Sequence, residues 1–150
     1  MRALWLLLLS SCRSEPPPPP PGAHVEIVAA PEGAVANLVM GELIRAERDG
    51  KDLVIYVGAE WCEPCKYFHD AAASGQLDAR FPKLRLLEFD HDRDGPRLLL
   101  AGCASQMLPL FALPQKDGRC SDARRFAGSI KGPGAIDNIA PKLENLLASR

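Results

Sequence analysis

The chain has 150 residues, of which 47% are hydrophobic and 25% charged, and its formal net charge is -1. That is enough apolar chain for one domain core, and there is no surplus of cations to neutralise a phosphate backbone, so nucleic acid is excluded as an expected partner. Six of the 14 prolines form one run at positions 16–21, and such unevenness marks a boundary between a tail and a domain.

The first residues have the layout of an export signal: Arg2 supplies a positive charge, positions 3–9 are an unbroken apolar run, and Ser10, Ser11 and Cys12 follow. The run is far short of the roughly 20 apolar residues that a membrane-spanning helix needs. Leu9-Ser10-Ser11-Cys12 resembles the bacterial lipoprotein box, which implies lipidation and cleavage at Cys12 and a periplasm-facing, lipid-anchored place in the cell envelope. Several acyl chains on one residue hold a soluble domain at a membrane where a single chain is only marginal. The proline run takes up extended polyproline II and reads as a stiff spacer. The expected organisation is therefore a signal at 1–11, the lipidated Cys12 with a proline-rich linker at 12–24, and one folded domain at 25–150.

Along the folded part, positions 25–28 are β-rich, and Pro31-Glu32-Gly33 breaks them before a helix over 34–48, where Leu38, Leu43 and Ile44 fall at helical spacing. After the turn Asp49-Gly50, the apolar run at 53–57 reads as a strand buried on both faces, ending at Gly58. A helix is expected from just after Cys62 to near Gly75, with a further short turn of helix at 77–81 and a strand at 84–90. Asp94-Gly95-Pro96 looks like the start of a third helix that ends at Gly102, since proline early in a helix forgoes no hydrogen bond. A strand at 108–113, a turn at Lys116-Asp117-Gly118 and a returning strand at 124–127 form a closing hairpin. Gly132-Pro133-Gly134 opens a last helix with Ile136, Ile139, Leu143, Leu146 and Leu147 on one face, and Pro141 inside it is expected to bend or split it. The order β-α-β-α-β-α-β-β-α implies an α/β domain: a mainly parallel, mixed central sheet flanked by helices on both faces, with antiparallel strands at one edge.

The chemistry concentrates in Ala59-Glu60-Trp61-Cys62-Glu63-Pro64-Cys65-Lys66. Two cysteines two residues apart allow a redox pair, half a zinc site or a structural staple. Zinc needs about four ligands, and Cys103 and Cys120 do not form a second close pair, so no metal is expected. A staple across so short a loop stabilises little. Cys62 sits where a buried strand gives way to a helix, so its sulfur lies over free N–H groups and the positive end of the helix dipole, which favours the thiolate. The thiolate is the nucleophile, so Cys62 is the attacking sulfur; Cys65, a turn further on and more enclosed, is the resolving one. Pro64 suits the first helical turn and narrows the loop geometries, while Glu63 adds a negative charge that opposes a thiolate on Cys62. Together they imply a reducing or isomerising bias.

This stretch resembles the active site of thioredoxins, differing mainly in Glu63 where that family usually has glycine. The preceding strand, Leu108-Pro109 and Gly128 before the last helix extend the resemblance over about positions 35–147. It implies a thioredoxin-like fold, exchange on protein disulfides with no bound cofactor, a monomer, and an envelope redox partner. It further implies that Pro109 follows a cis peptide bond and faces the cysteines, that Leu108 and Pro109 pair with an extended substrate, and that Trp61 borders the substrate groove. The family buries an aspartate six residues before the first cysteine, where this chain has Tyr56, a poor base at neutral pH. Proton transfer then falls to Glu60 through water or to Glu88 from the next strand.

With Cys12 lipidated and Cys62 paired with Cys65, Cys103 and Cys120 are left as a structural disulfide, two free thiols or a second redox pair. His69 lies on the face of Cys65, either tuning its thiol or standing at the surface. The run Asp90-His91-Asp92-Arg93-Asp94 reads as a solvated charged turn. Two other readings compete: a redox-inert thioredoxin-fold binding module, or a copper chaperone, for which His91 is the available downstream histidine.

Overall fold

The computed structural model describes residues 23–150; the expected signal, the expected lipidation at Cys12 and the proline run lie outside the described residues. The elements run β1 (Glu26–Ala29), α1 (Val35–Arg48), β2 (Asp52–Gly58), α2 (Glu63–Ala73), β3 (Leu84–Asp90), α3 (His91–Leu100), β4 (Leu110–Ala112), β5 (Arg125–Ala127) and α4 (Ala135–Ala148). They form one sheet of order β1-β3-β2-β4-β5. β3 pairs in parallel with both β1 and β2, whereas β4 runs antiparallel to β2 and to β5.

Alternation along β2 divides its buried side chains between two faces. Val54 and Tyr56 join Leu84, Leu86 and Phe111 against Phe68 of α2 and Ile139 and Leu143 of α4. Leu53, Ile55 and Val57 join Leu87 and Phe89 against Val39 of α1 and Leu98 of α3. Such two-sided burial is why the run at 53–57 lacks the polar alternation of a half-solvated strand.

Three local expectations are corrected. The third helix begins at His91, not near Asp94, because the Asp90 carboxylate accepts the N–H groups of Asp92 (2.9 Å) and Arg93 (2.8 Å) and caps it three residues earlier. The charged run is therefore a first helical turn in which Asp92 and Arg93 are solvated as expected, whereas Asp94 is not: it is 1% exposed. Its carboxylate takes Arg93, Arg97 and the backbone N–H of Asp90. Pro141 does not split α4, which is continuous: the buried row Ala135, Ile139, Ala140, Leu143 and Leu146 spans the proline and outweighs its cost of about 3 kcal/mol. β4 has only three residues, since Leu108-Pro109 stands outside the ladder, where proline has no N–H to give. The segment at 77–81 makes the single turn expected of it, closed in helical fashion by Phe81 N–H to Leu77 O at 2.9 Å.

At the end of the sheet where β3 begins, Arg85 is buried and binds three carboxylates: Glu26 (2.6 Å), Glu42 (3.4 Å) and Asp49 (2.8 Å). The closing hairpin turns at Gly118, whose φ is +77°, and a Cβ there would stand 2.1 Å from Ala36 O in α1. Only glycine serves at that position.

Candidate active site

β2, the central strand, delivers the chain to the C-terminal end of the parallel strands at Gly58, and a tight turn follows, with Cys62 N–H donating to Ala59 O at 3.0 Å. Cys62 then caps α2 with extended backbone, and its sulfur accepts the N–H of Cys65 at 3.3 Å. The sulfur thus takes the place of the oxygen in an ordinary N-cap and meets the free donors of the first turn. Cys62 and Cys65 are bonded, with Cα atoms 5.2 Å apart. Pro64 is buried within the first turn of α2. By residue the two cysteines are equally enclosed, 4% and 3% exposed, so burial does not make Cys62 the more open partner. What separates them is their neighbours. Cys62 lies between the exposed Trp61 and Glu63, whereas Cys65 lines an inner cleft.

Trp61 is 65% exposed, and its Nε1–H donates to Asp92 Oδ2 at 2.7 Å, with the His91 ring edge-on to the indole. Hydrogen bonds from His91 and Trp61 hold the Asp92 carboxyl below its ordinary range. The Glu63 carboxylate accepts the Gly132 N–H at 3.1 Å, tying the motif to the loop before α4. Leu108 and Pro109 join through a cis peptide bond. Val57 of β2 pairs with Leu110, so Leu108-Pro109 arrives at the same end of the sheet from which the motif departs. Pro109 O accepts Gly128 N–H at 2.9 Å. Gly128 has φ +83°, a backbone conformation that favours glycine, while a Cβ there would meet only the movable end of the exposed Met107. Met107 (59% exposed) and Ile130 (54%) line a shallow groove with Leu108, giving the segments around the disulfide an apolar surface.

On the other side of Cys65 chemistry, a cleft of about 410 Å³ is lined by Cys65, Tyr56, Glu60, His69 and Glu88 among others. Tyr56 OH donates to Cys65 O at 3.2 Å. Burial, reinforced by the charge of Glu88, raises its phenol far above neutral. Glu88 stands directly opposite Tyr56 in the parallel ladder. His69 Nε2 is 3.6 Å from Glu88 Oε1. Burial raises the Glu88 carboxyl, the charge of Asp90 adds to that, and His69 and Arg93 oppose it.

Cys103 and Cys120 are bonded to each other, joining the segment after α3 to the closing hairpin. Among the described residues, no three His, Cys, Asp or Glu side chains converge as metal ligands, and no helix is long and apolar enough to cross a membrane. Sequence reasoning missed Asp92 as the partner of Trp61 and Gly132 as the partner of Glu63. The signal for the first was the spacing of Asp90 and Asp92, an N-cap pattern that reads equally well as a polar loop; the second pairs residues 69 apart and leaves no local trace.

No family model matches the chain, and no curated protein matches it. Among solved structures, oxidised thioredoxin O1 from Arabidopsis thaliana is 18% identical, covering 83% of this chain and 96% of its own, with a TM-score of 0.50. A chain from work on thiol resolution in yeast mitochondrial 1-Cys peroxiredoxin via the glutathione and thioredoxin systems is 20% identical, covering 84% and 95%, with a TM-score of 0.50. Poplar wild-type thioredoxin h is 24% identical over 84% and 95%, with a TM-score of 0.49. At such identities likeness speaks to architecture alone: this chain has the thioredoxin fold, with its Cys62–Cys65 disulfide at the start of α2.

Proposed function

We propose that this chain is a thiol–disulfide oxidoreductase that acts on protein substrates at the bacterial cell envelope, tethered through a lipidated Cys12 and working as a monomer without a bound cofactor. The observation that carries the reading is the Cys62 sulfur in the N-cap position of α2, with the Cys65 N–H directed at it from 3.3 Å. A reduced Cys62 in that place is favoured as thiolate by the free N–H groups and the helix dipole. The thiolate attacks a substrate disulfide, forms a mixed disulfide on Cys62 and releases one substrate sulfur. Cys65 then attacks Cys62, closes the internal bond and releases the second. The apolar groove of Met107, Leu108 and Ile130, together with the separately exposed Trp61, suits an extended, unfolded segment of substrate better than a small polar thiol. The Glu63 charge, held beside Cys62 by Gly132, supports a reducing or isomerising direction over strong oxidation, with an envelope donor restoring the dithiol.

The test is insulin reduction with Cys62→Ser. Activity is expected to vanish, and unchanged activity overturns the reading. A second reading, a redox-inert scaffold whose disulfide stays closed, is favoured by Tyr56, which gives Cys65 no acid at the adjacent strand position. A reduction potential too low for thiol donors to reach would select it.

A further inference from the structure

Closing the mixed disulfide requires Cys65 as a thiolate, and an enclosed thiol yields its proton only to a base within reach. Cys65 is 3% exposed and faces the inner cleft. The titratable or charged groups on that cleft are Tyr56 from β2, Glu60 from the loop, Lys66, His69 and Asp70 from α2, Glu88 and Asp90 from β3, and Arg93 from α3. Most are otherwise engaged. Tyr56 donates its own proton to Cys65 O; Lys66 and Asp70 pair with each other in solvent; Asp90 caps α3; Arg93 holds Asp94; and Glu60 is exposed.

Glu88 is different in its placement. It continues the row Leu84, Leu86 on β3, the row that forms the core beneath α2, where the two-residue period calls for another apolar side chain. A half-buried carboxylate interrupts that row on the wall of the cleft that Cys65 also lines, and its side chain accepts no hydrogen bond among the described residues. The side chain keeps 28% of its surface open, so the carboxylate stands in an otherwise apolar row yet remains reachable from the cleft. Its one close charge partner across the cleft is His69, also in the lining, at 3.6 Å.

Resting on the exchange reading above, we propose that Glu88, steadied by His69, is the base that takes the Cys65 proton when the mixed disulfide resolves. The S–H bond of Cys65 breaks and its proton passes to the Glu88 carboxylate, directly or through one water of the cleft. The Cys65 thiolate then forms its bond to Cys62, and the bond between Cys62 and the substrate sulfur breaks. That sulfur leaves with the electron pair as a thiolate. Glu88 returns its proton to solvent or to the departing sulfur, so no external oxidant or reductant enters the step. Burial brings the carboxyl closer to a thiol in proton affinity, which makes the transfer less uphill.

The experiment uses the reduced protein and an aromatic disulfide reagent that releases a coloured thiolate twice: first as Cys62 is capped, then as Cys65 expels the second thiolate. In Glu88→Gln the first release is expected to keep its rate, while the second slows on the order of tenfold to a hundredfold near neutral pH and rises steadily with hydroxide. Glu88→Asp should restore part of the rate. His69→Ala removes a group that lowers the Glu88 carboxyl, so its profile should move to higher pH. A second release whose pH profile is the same in wild type and Glu88→Gln overturns the proposal and leaves the exchange reading standing. Absence of the first release from wild type overturns both.

Discussion

The described residues carry two disulfides, and residue burial does not tell them apart: Cys62 and Cys65 are 4% and 3% exposed, Cys103 and Cys120 are 0% and 8%. Their surroundings do. The first closes a loop of sequence separation 3 at a helix N-terminus, beside a cleft and beneath an exposed tryptophan. The second closes a separation of 17 between two loops, with its sulfurs packed among the apolar side chains beneath α1 and α3. A short bridge restrains little of the unfolded chain, whereas the longer one removes appreciably more of its freedom. Reactivity and stabilisation are thus assigned to different pairs by loop length and by donors at the sulfur, not by depth.

That division can be broken most directly by removing each pair. Replacing Cys103 and Cys120 together by alanine should lower the unfolding free energy by about 3 kcal/mol while insulin reduction persists. Replacing Cys62 and Cys65 should abolish reduction at a smaller loss of stability, and denaturant melts of the two double variants would show whether the order is reversed.

Acid sharpens the comparison, because disulfides do not titrate and ion pairs do. Hydrogen bonds from Arg48 and Arg85 bring the Asp49 carboxyl down from 3.8 to about 2. Burial raises the Asp94 carboxyl, but bonds from Arg93, the Asp90 N–H and Arg97 outweigh it and hold the group low. A depressed folded-state pKa contributes stability above the unfolded value and loses it as pH falls through the folded one. Thermal melts should therefore drop between about pH 4 and pH 2, with both disulfides intact by thiol counting.

The smallest effect is local to the first pair. Asp92→Ala frees the Trp61 indole, and losing one hydrogen bond of about 1 kcal/mol corresponds to roughly a fivefold rise in KM for a protein disulfide, at nearly unchanged kcat and Tm.

The strands and helices were legible because apolar runs and breakers obey local rules: the run at 53–57 reads as a doubly buried strand, and it is one. Two failures share a cause. Asp90 and Asp94 look alike in sequence, yet one caps α3 at its surface and the other is sealed between two arginines. Composition records charge, and only folding decides which charge finds a partner. Pro141 misleads in the same way, since its local cost is outweighed by a stripe of contacts that the tertiary fold supplies. At the site, the cysteine pair was legible from its spacing, and Trp61 and Leu108-Pro109 only through the resemblance to thioredoxins. The pairing of Glu63 with Gly132 and of His69 with Glu88 was not, because both are made by segments brought together from afar.

The tip of the closing hairpin leaves no room even for a methyl group between Gly118 and Ala36. The hairpin that carries Cys120 is accordingly clasped by α1 at one end as well as by sulfur at the other, and Cys120 N–H also holds Ala101 O at 3.1 Å. Cutting the Cys103–Cys120 bond would leave the two thiols as near neighbours at high effective concentration, so its resealing would be a local repair and not a search through the unfolded chain.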